Sequence, residues 1–231
     1  MSSPDERWRL VNLLAEPTRR QVYDAVRAGR VPMTRDAVAA ASGISRRLAT
    51  FHLDLLAEAG LLAVDYARPP GRSGPGAGRP AKRYLATDVD LDVSMPGRRY
   101  DVAARILARA VDVSSRSAAD PRSAALVAAR QEGERIGSER RVSRRRLTGR
   151  AALESADVAL SDLGYEPIAD DRGKRLVLRN CPFHAVVDVA PELVCTVNGE
   201  FLGGVLDGLG CDRLELCPDG VAPDCCVTVR R

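Results

Sequence analysis

The stretch Thr34–Leu62, TRDAVAAASGISRRLATFHLDLLAEAGLL, constrains this chain more than any other. Its pattern fits two short helices joined by a tight turn. Thr34 can cap a first helix over 35–41, because its hydroxyl accepts an N–H that the first turn leaves without a partner. Gly43 can take the positive φ that ends such a helix. Ser45 caps a second helix, which stops at Gly60. On that helix Ala49, Leu53 and Leu56 recur at helical spacing and face inward. Arg46, Arg47 and Thr50 therefore point elsewhere, near the N-terminal end. A recognition helix presents base-reading side chains to the major groove from that end. Arg can bridge O6 and N7 of guanine or hold a phosphate, and Ser or Thr can bond either. An ordinary helical corner with a solvated arginine pair would share this pattern.

The flanks supply a core for the pair. Leu10, Leu13 and Leu14 form the apolar stripe of one helix, and Val22, Tyr23 and Val26 that of the next. Pro17 falls in the first turn of that second helix, where a missing N–H costs nothing, and Gly29 is expected to stop it. After Leu61 the periodicity changes to that of a strand. Leu62, Val64 and Tyr66 alternate as on a half-buried strand, ARPPGRSGPGAGRP follows, and AKRYLA reads as the return strand. A long hairpin directly after a recognition helix reads as a wing. Arg68, Arg72 and Arg79 lie on its tip, and Lys82 and Arg83 on its return strand. A glycine-rich tip lets backbone approach phosphates or a narrow minor groove, where Arg is attracted. The loop has no Gly-Lys-Ser/Thr ending and no helix signal after it, which argues against nucleotide binding. His52 reads as a packed histidine in preference to a ligand.

Residues 10–85 resemble the winged helix of the ArsR-type bacterial regulators. The resemblance is carried by LLAEPTRRQVYDAV, by TRDAVAAASGISRRLATFHLDLLAEAGLL and by GPGAGRPAKRY. It implies a dimeric transcription factor with Ser45, Arg46, Arg47 and Thr50 on the reading helix. The wing residues Arg72, Arg79 and Lys82 would complete the DNA contact. Some ArsR proteins carry a metal-binding Cys motif near the recognition helix. It is absent here, since no Cys precedes residue 181, so sensing has to come from elsewhere.

Charge is distributed to match. Residues 1–85 hold 14 basic and 8 acidic residues, and residues 98–150 hold 14 basic and 6 acidic. Residues 151–231 reverse the sign, with 7 basic and 14 acidic. A basic front is suited to a polyanion, and an acidic back to some other task. Apolar runs are too short for a membrane span, and MSSPDERWRL lacks the apolar core of a secretory signal. The expected compartment is the cytoplasm, where thiols stay reduced.

Residues 88–97 read as a linker. Helices are expected over 98–118, with Ile106, Leu107, Ala110 and Val111 on one face, and over 121–137, with Leu126, Val127, Arg130 and Ile136. The run ERRVSRRRLTGR brings Arg140, Arg141, Arg144, Arg145 and Arg146 together, as a solvated charge run or an added phosphate-contacting surface. A further helix over 150–163 carries Leu153, Val158, Leu160 and Leu163. These helices are expected to hold the dimer together, since operators of such regulators are usually two-fold. Residues 164–231 read as a hairpin with Leu176 and Leu178 inward, a helix from Pro191 to Leu209, and two further strands. The expected fold is thus mostly α with a C-terminal α+β part. Its expected divisions are a winged helix-turn-helix over 1–87, a helical dimerisation region over 98–163 and a small sensor domain over 164–231.

All six cysteines fall in that last region, at Cys181, Cys195, Cys211, Cys217, Cys225 and Cys226. In a cytoplasmic chain such clustering points to metal or redox chemistry in preference to a disulfide scaffold. The wide gaps are unlike the paired knuckles of a zinc ribbon, and no C-x-x-C is present for thiol exchange. Strand parity turns Cys225 inward and Cys217 outward. Cys195 shares a helix face with Asn198, Leu202, Leu206 and Leu209, and Cys211 follows a glycine-rich helix end.

This half resembles the SufR group, winged-helix regulators of iron–sulfur cluster assembly. The carrying residues are Asn180-Cys181-Pro182-Phe183-His184, the LVC that ends at Cys195, the glycine-rich helix end and Cys225-Cys226-Val227. The resemblance implies a thiolate-held iron–sulfur cluster, expected as [4Fe–4S]. Its expected ligands are Cys181, Cys195, Cys211 and one of Cys225 and Cys226, with His184 as an alternate. The expected function is a sequence-specific regulator, in the first instance a repressor, that senses iron–sulfur or redox status on a two-fold operator. The alternatives are a sensor of zinc or another thiophilic metal, or a Cys-dependent redox enzyme. Against an enzyme stands the lack of a convincing base beside a nucleophile.

Overall fold

The computed structural model describes residues 4–67, 80–89, 91–142, 146–211, 213–219, 225 and 227–231. Helices dominate, with two small antiparallel sheets. The chain divides into a unit of Met1–Val93 and a unit of Ser94–Arg231.

The first unit runs α1 (Pro4–Leu14), α2 (Pro17–Gly29), β1 (Met33–Thr34), α3 (Arg35–Ser42), α4 (Arg46–Glu58), β2 (Leu62–Ala67) and β3 (Ala81–Ala86). Its core gathers one apolar face from each helix: Leu10, Val22, Tyr23, Val26, Val38, Leu53 and Leu56, closed by Leu61, Leu62 and Tyr84. Each buried Leu or Val contributes roughly 1.5–3 kcal/mol, which is what holds helices this short. The caps are those the sequence indicates. The Thr34 hydroxyl accepts from the Ala37 N–H, and the Ser45 hydroxyl from the Leu48 N–H. Gly43 sits at φ +63 between α3 and α4.

Helix α2 stops at Gly29, as expected, and Arg30 takes the left-handed conformation after it. Strand β2 departs from the expected half burial. Leu62 is buried, but Val64 and Tyr66 are exposed, because the strand pairs with β3 alone and projects beyond the core. The sheet order is β1-β3-β2, with Val64 opposite Tyr84 and Tyr66 opposite Lys82.

The second unit runs α5 (Tyr100–Arg116), α6 (Pro121–Arg140), α7 (Gly149–Asp162), β4 (Pro167–Ala169), β5 (Arg175–Leu178), α8 (His184–Val187), α9 (Pro191–Leu209), β6 (Glu215–Cys217) and β7 (Thr228–Arg230). The strands form an antiparallel sheet of order β4-β5-β7-β6. One core includes Ile106 of α5, Ile136 of α6, Leu160 of α7, Leu178 of β5, Phe201 of α9 and Val229 of β7. The helices over 98–163 and the α+β part after them thus share one interior.

The joint that makes them one is the α6–α9 pair. Gly133 and Gly137 on α6, and Gly204 and Gly208 on α9, each lie against the backbone of the facing helix. A Cβ on Gly133 would lie under 3.0 Å from the Phe201 carbonyl oxygen, and one on Gly204 under 3.0 Å from that of Arg130. Only glycine permits such an approach. This changes the expected faces. On α6 the buried side is Ala124, Ala125, Ala128, Ala129 and Ile136, while Val127 is exposed and Leu126 half-buried. On α5 it is Val102, Ala103, Ile106 and Ala110, while Leu107 and Val111 face out. On α7, Val158 is likewise exposed.

Candidate nucleic-acid interface

Helix α4 buries Ala49, His52, Leu53 and Leu56 against the rest of the first unit. This fixes which side chains can face a ligand. Ser45, Arg46, Arg47, Leu48 and Phe51 are exposed, and Thr50 is half-buried.

The expected reading residues differ sharply in what they are free to do. The Ser45 hydroxyl is engaged as the helix cap. The Thr50 hydroxyl donates to the Arg46 carbonyl at 2.8 Å, so its one proton is used inside the helix. The Arg46 guanidinium pairs with Asp36 of α3 at 2.7 Å. Arg47 makes no ion pair among the described residues and stands exposed. Phe51, one helical turn further on, is exposed beside it.

On the hairpin, Lys82 was expected to contact DNA. Its ammonium lies 2.5 Å from the Asp54 carboxylate and 5.0 Å from the Tyr84 ring centroid. The Tyr84 hydroxyl donates to the same carboxylate oxygen at 2.9 Å. Burial pushes the Asp54 carboxyl up, but these two hydrogen bonds outweigh it and hold the group below its ordinary value. The cluster ties β3 to α4, so Lys82 sets the hairpin's attachment. Arg83 is similarly matched by Asp65 across the β2–β3 ladder, with two hydrogen bonds at 2.9 and 2.5 Å. Arg68, Arg72 and Arg79 lie outside the described residues.

A cleft of about 450 Å³ opens between the start of α4 and the hairpin, lined by Thr34, Arg35, Asp36, Arg46, Tyr66, Pro80, Ala81 and Lys82. Sequence reasoning missed Arg35, Tyr66 and Phe51. Phe51 was available to it, because the Ala49–Leu53–Leu56 phase already leaves position 51 outside the core. His52 is buried behind this surface. Its Nε2 lies 3.8 Å from a Glu16 carboxylate oxygen, and its Nδ1 has no hydrogen-bond partner. Burial pulls the imidazole below its ordinary value, against the opposing pull of Glu16.

The cysteines lie in the second unit. Cys211 is fully buried, with its sulfur 3.6 Å from the Ala152 carbonyl of α7. Cys225 is buried and accepts from the Asn198 side-chain amide at 3.2 Å, while the Asn198 oxygen accepts from the Tyr165 hydroxyl at 2.5 Å. Cys195 is half-buried and lines a cavity of about 440 Å³ with Arg130, Thr196, Gly199, Glu200, Leu216, Pro218 and Val227. Cys181 packs half-buried against the core. Cys217 is half-buried at the end of β6, and His184 starts the short helix α8. Cys226 lies outside the described residues. Among the described residues, no three His, Cys, Asp or Glu side chains form a group that could hold a metal ion. Arg140 is half-buried on α6 and 4.0 Å from Asp162, while Arg144 and Arg145 lie outside the described residues.

Residues 14–65 match the family described as a helix-turn-helix domain. That span runs from the end of α1 to the middle of β2. No curated protein and no solved structure matches the chain. A helix-turn-helix domain points to DNA binding and transcription regulation. Among the described residues, no helix is long and apolar enough to cross a membrane.

Proposed function

We propose that this chain is a dimeric transcription regulator in which α4 reads a two-fold operator and the second unit senses iron–sulfur or redox status. The observation that carries the DNA half is the exposed Arg47 at the start of a helix whose other face is fully packed. Selection of the full chain against a pool of random duplexes tests it. An inverted repeat with half-sites roughly 34 Å apart is expected. Arg47→Ala should weaken binding to the selected duplex by about 1–3 kcal/mol. Enrichment of no sequence would sink this reading.

The dimer is supported by the outer face of α5. Tyr100, Leu107 and Val111 are exposed there, at helical spacing. The neighbouring charges Asp101 and Arg105, and Asp112 and Arg116, pair with one another within the helix, so the apolar side chains are the part of this face that a second copy would cover. Sedimentation of a Val111→Glu variant as a monomer is the expected outcome. Retention of the dimer would place the contact elsewhere.

The sensing half rests on the six cysteines of the second unit and on the resemblance of its Cys-rich segments to a cluster-binding group. Protein purified without oxygen separates the possibilities. Broad charge-transfer absorption lost in Cys181→Ala and Cys195→Ala supports a cluster, whereas colourless protein with bound zinc favours the plain metal sensor. Colourless, metal-free protein would sink both.

A further inference from the structure

We infer that the base-reading surface of α4 is part apolar, and that Phe51 reads the 5-methyl group of thymine beside a base contacted by Arg47. This rests on the DNA-binding reading above and adds to it the chemistry of the sequence that is read.

Three observations carry it. First, the polar groups expected to read bases are largely engaged inside the protein: Ser45 caps α4, Thr50 bonds the Arg46 carbonyl, and Arg46 pairs with Asp36. Second, what remains outward on this end of the helix is one guanidinium and two apolar side chains, Phe51 at 55% and Leu48 at 40% exposure. Third, Phe51 follows Arg47 by four residues, so the two are neighbours on one helix face. A large aromatic left in water on the reading helix calls for an apolar partner. The major groove offers one apolar group, the thymine methyl, and Phe is among the side chains that contact it. The Phe51 ring also meets the buried His52 edge-on, with centroids 5.2 Å apart, which limits its freedom before DNA arrives.

Burying one methyl group is worth about a fourfold change in affinity, so a two-fold site should show about fifteenfold. The test takes the duplex selected by the full-length protein and replaces thymidine by deoxyuridine, one position at a time. Base pairing is unchanged and only the methyl is lost. The expected result is one position per half-site where the wild type loses about fourfold. Phe51→Ala should bind the thymidine and deoxyuridine duplexes equally, both at the wild type's reduced affinity, and keep the wild type's circular dichroism spectrum. Equal wild-type binding to all substituted duplexes overturns the proposal, and so does a full deoxyuridine penalty in Phe51→Ala. So does a Phe51→Ala protein that binds DNA normally but sediments differently, which would make Phe51 a protein contact. These failures leave the selected duplex and the Arg47 effect intact. Failure of the DNA-binding reading instead shows as no selected duplex at all.

Discussion

Helices α4 and α9 are both shaped by glycines, yet they use glycine for opposite ends. On α4 the glycines lie outside the helix, at Gly43 and Gly60. Both have positive φ, and a Cβ on either would meet nothing within 4 Å. They bend the chain so that one face packs and the other meets solvent. On α9 the glycines lie inside the helix, at Gly199, Gly203, Gly204 and Gly208, and from Phe201 to Leu209 the helix is buried nearly all round. A one-sided helix can recognise something outside the protein, and an all-round buried one builds a core. Substitutions inside α9 should therefore hurt folding, and those on the outer face of α4 should hurt binding.

The largest expected effect is at the buried joint. Gly133→Ala forces a carbon against the Phe201 carbonyl, and backbone cannot turn aside as a side chain can. We expect a loss of about 3 kcal/mol or more in urea unfolding of the second unit. A smaller loss would mean that α6 and α9 can separate cheaply, and the contrast with α4 would break.

Next comes Glu132, fully buried on α6 yet ringed by Arg105, Arg109 and Arg135. Its Arg135 hydrogen bonds, opposed by burial and aided by Arg109 and Arg105, hold it below its ordinary value. The arginines are about half exposed and can turn to solvent, so Glu132→Ala should cost only about 2 kcal/mol. The turn before α4 should be milder still. Gly43→Ala asks alanine for φ +63 with open space around it, for about 1 kcal/mol. Asp54→Ala should cost about 1 kcal/mol as well, since the Lys82 pair is partly exposed.

Acid separates the two units in the most graded way. His52 has a folded pKa below its ordinary 6.5. The unfolded chain therefore takes up the proton more readily, and the first unit loses stability as pH falls through about 6.5. Glu132 is also depressed, from an ordinary 4.5. Its contribution is present above about pH 4.5 and is lost as pH falls through its lower folded value. Thermal melts between about pH 7 and 5 should shift for the first unit in the wild type and shift less in His52→Gln. An equal shift in both proteins would remove His52 as the cause.

Features that act over one or two turns of chain are legible in the sequence. Thr34 and Ser45 as caps, Gly43 in its positive-φ turn and Ala49, Leu53 and Leu56 as an inward face all depend on neighbours within a few residues. Leu176 and Leu178 follow the period of a strand, and Pro191–Leu209 follows that of a helix, for the same reason. Which of two plausible faces is covered, and which cation finds a carboxylate, depends on how the elements pack. Leu107 and Val111 share the period of a core face, but α6 lies against the Ile106 and Ala110 side. Gly133 and Phe201 are 68 positions apart, and nothing near either says that their backbones will meet. Arg46, Lys82 and Arg47 are alike as residues in a sequence. Asp36 and Asp54, brought close by packing, engage the first two and leave Arg47 beside Phe51 on the surface. Periodicity is a property of one element, whereas pairing depends on the geometry between elements, and that geometry is fixed when the core closes.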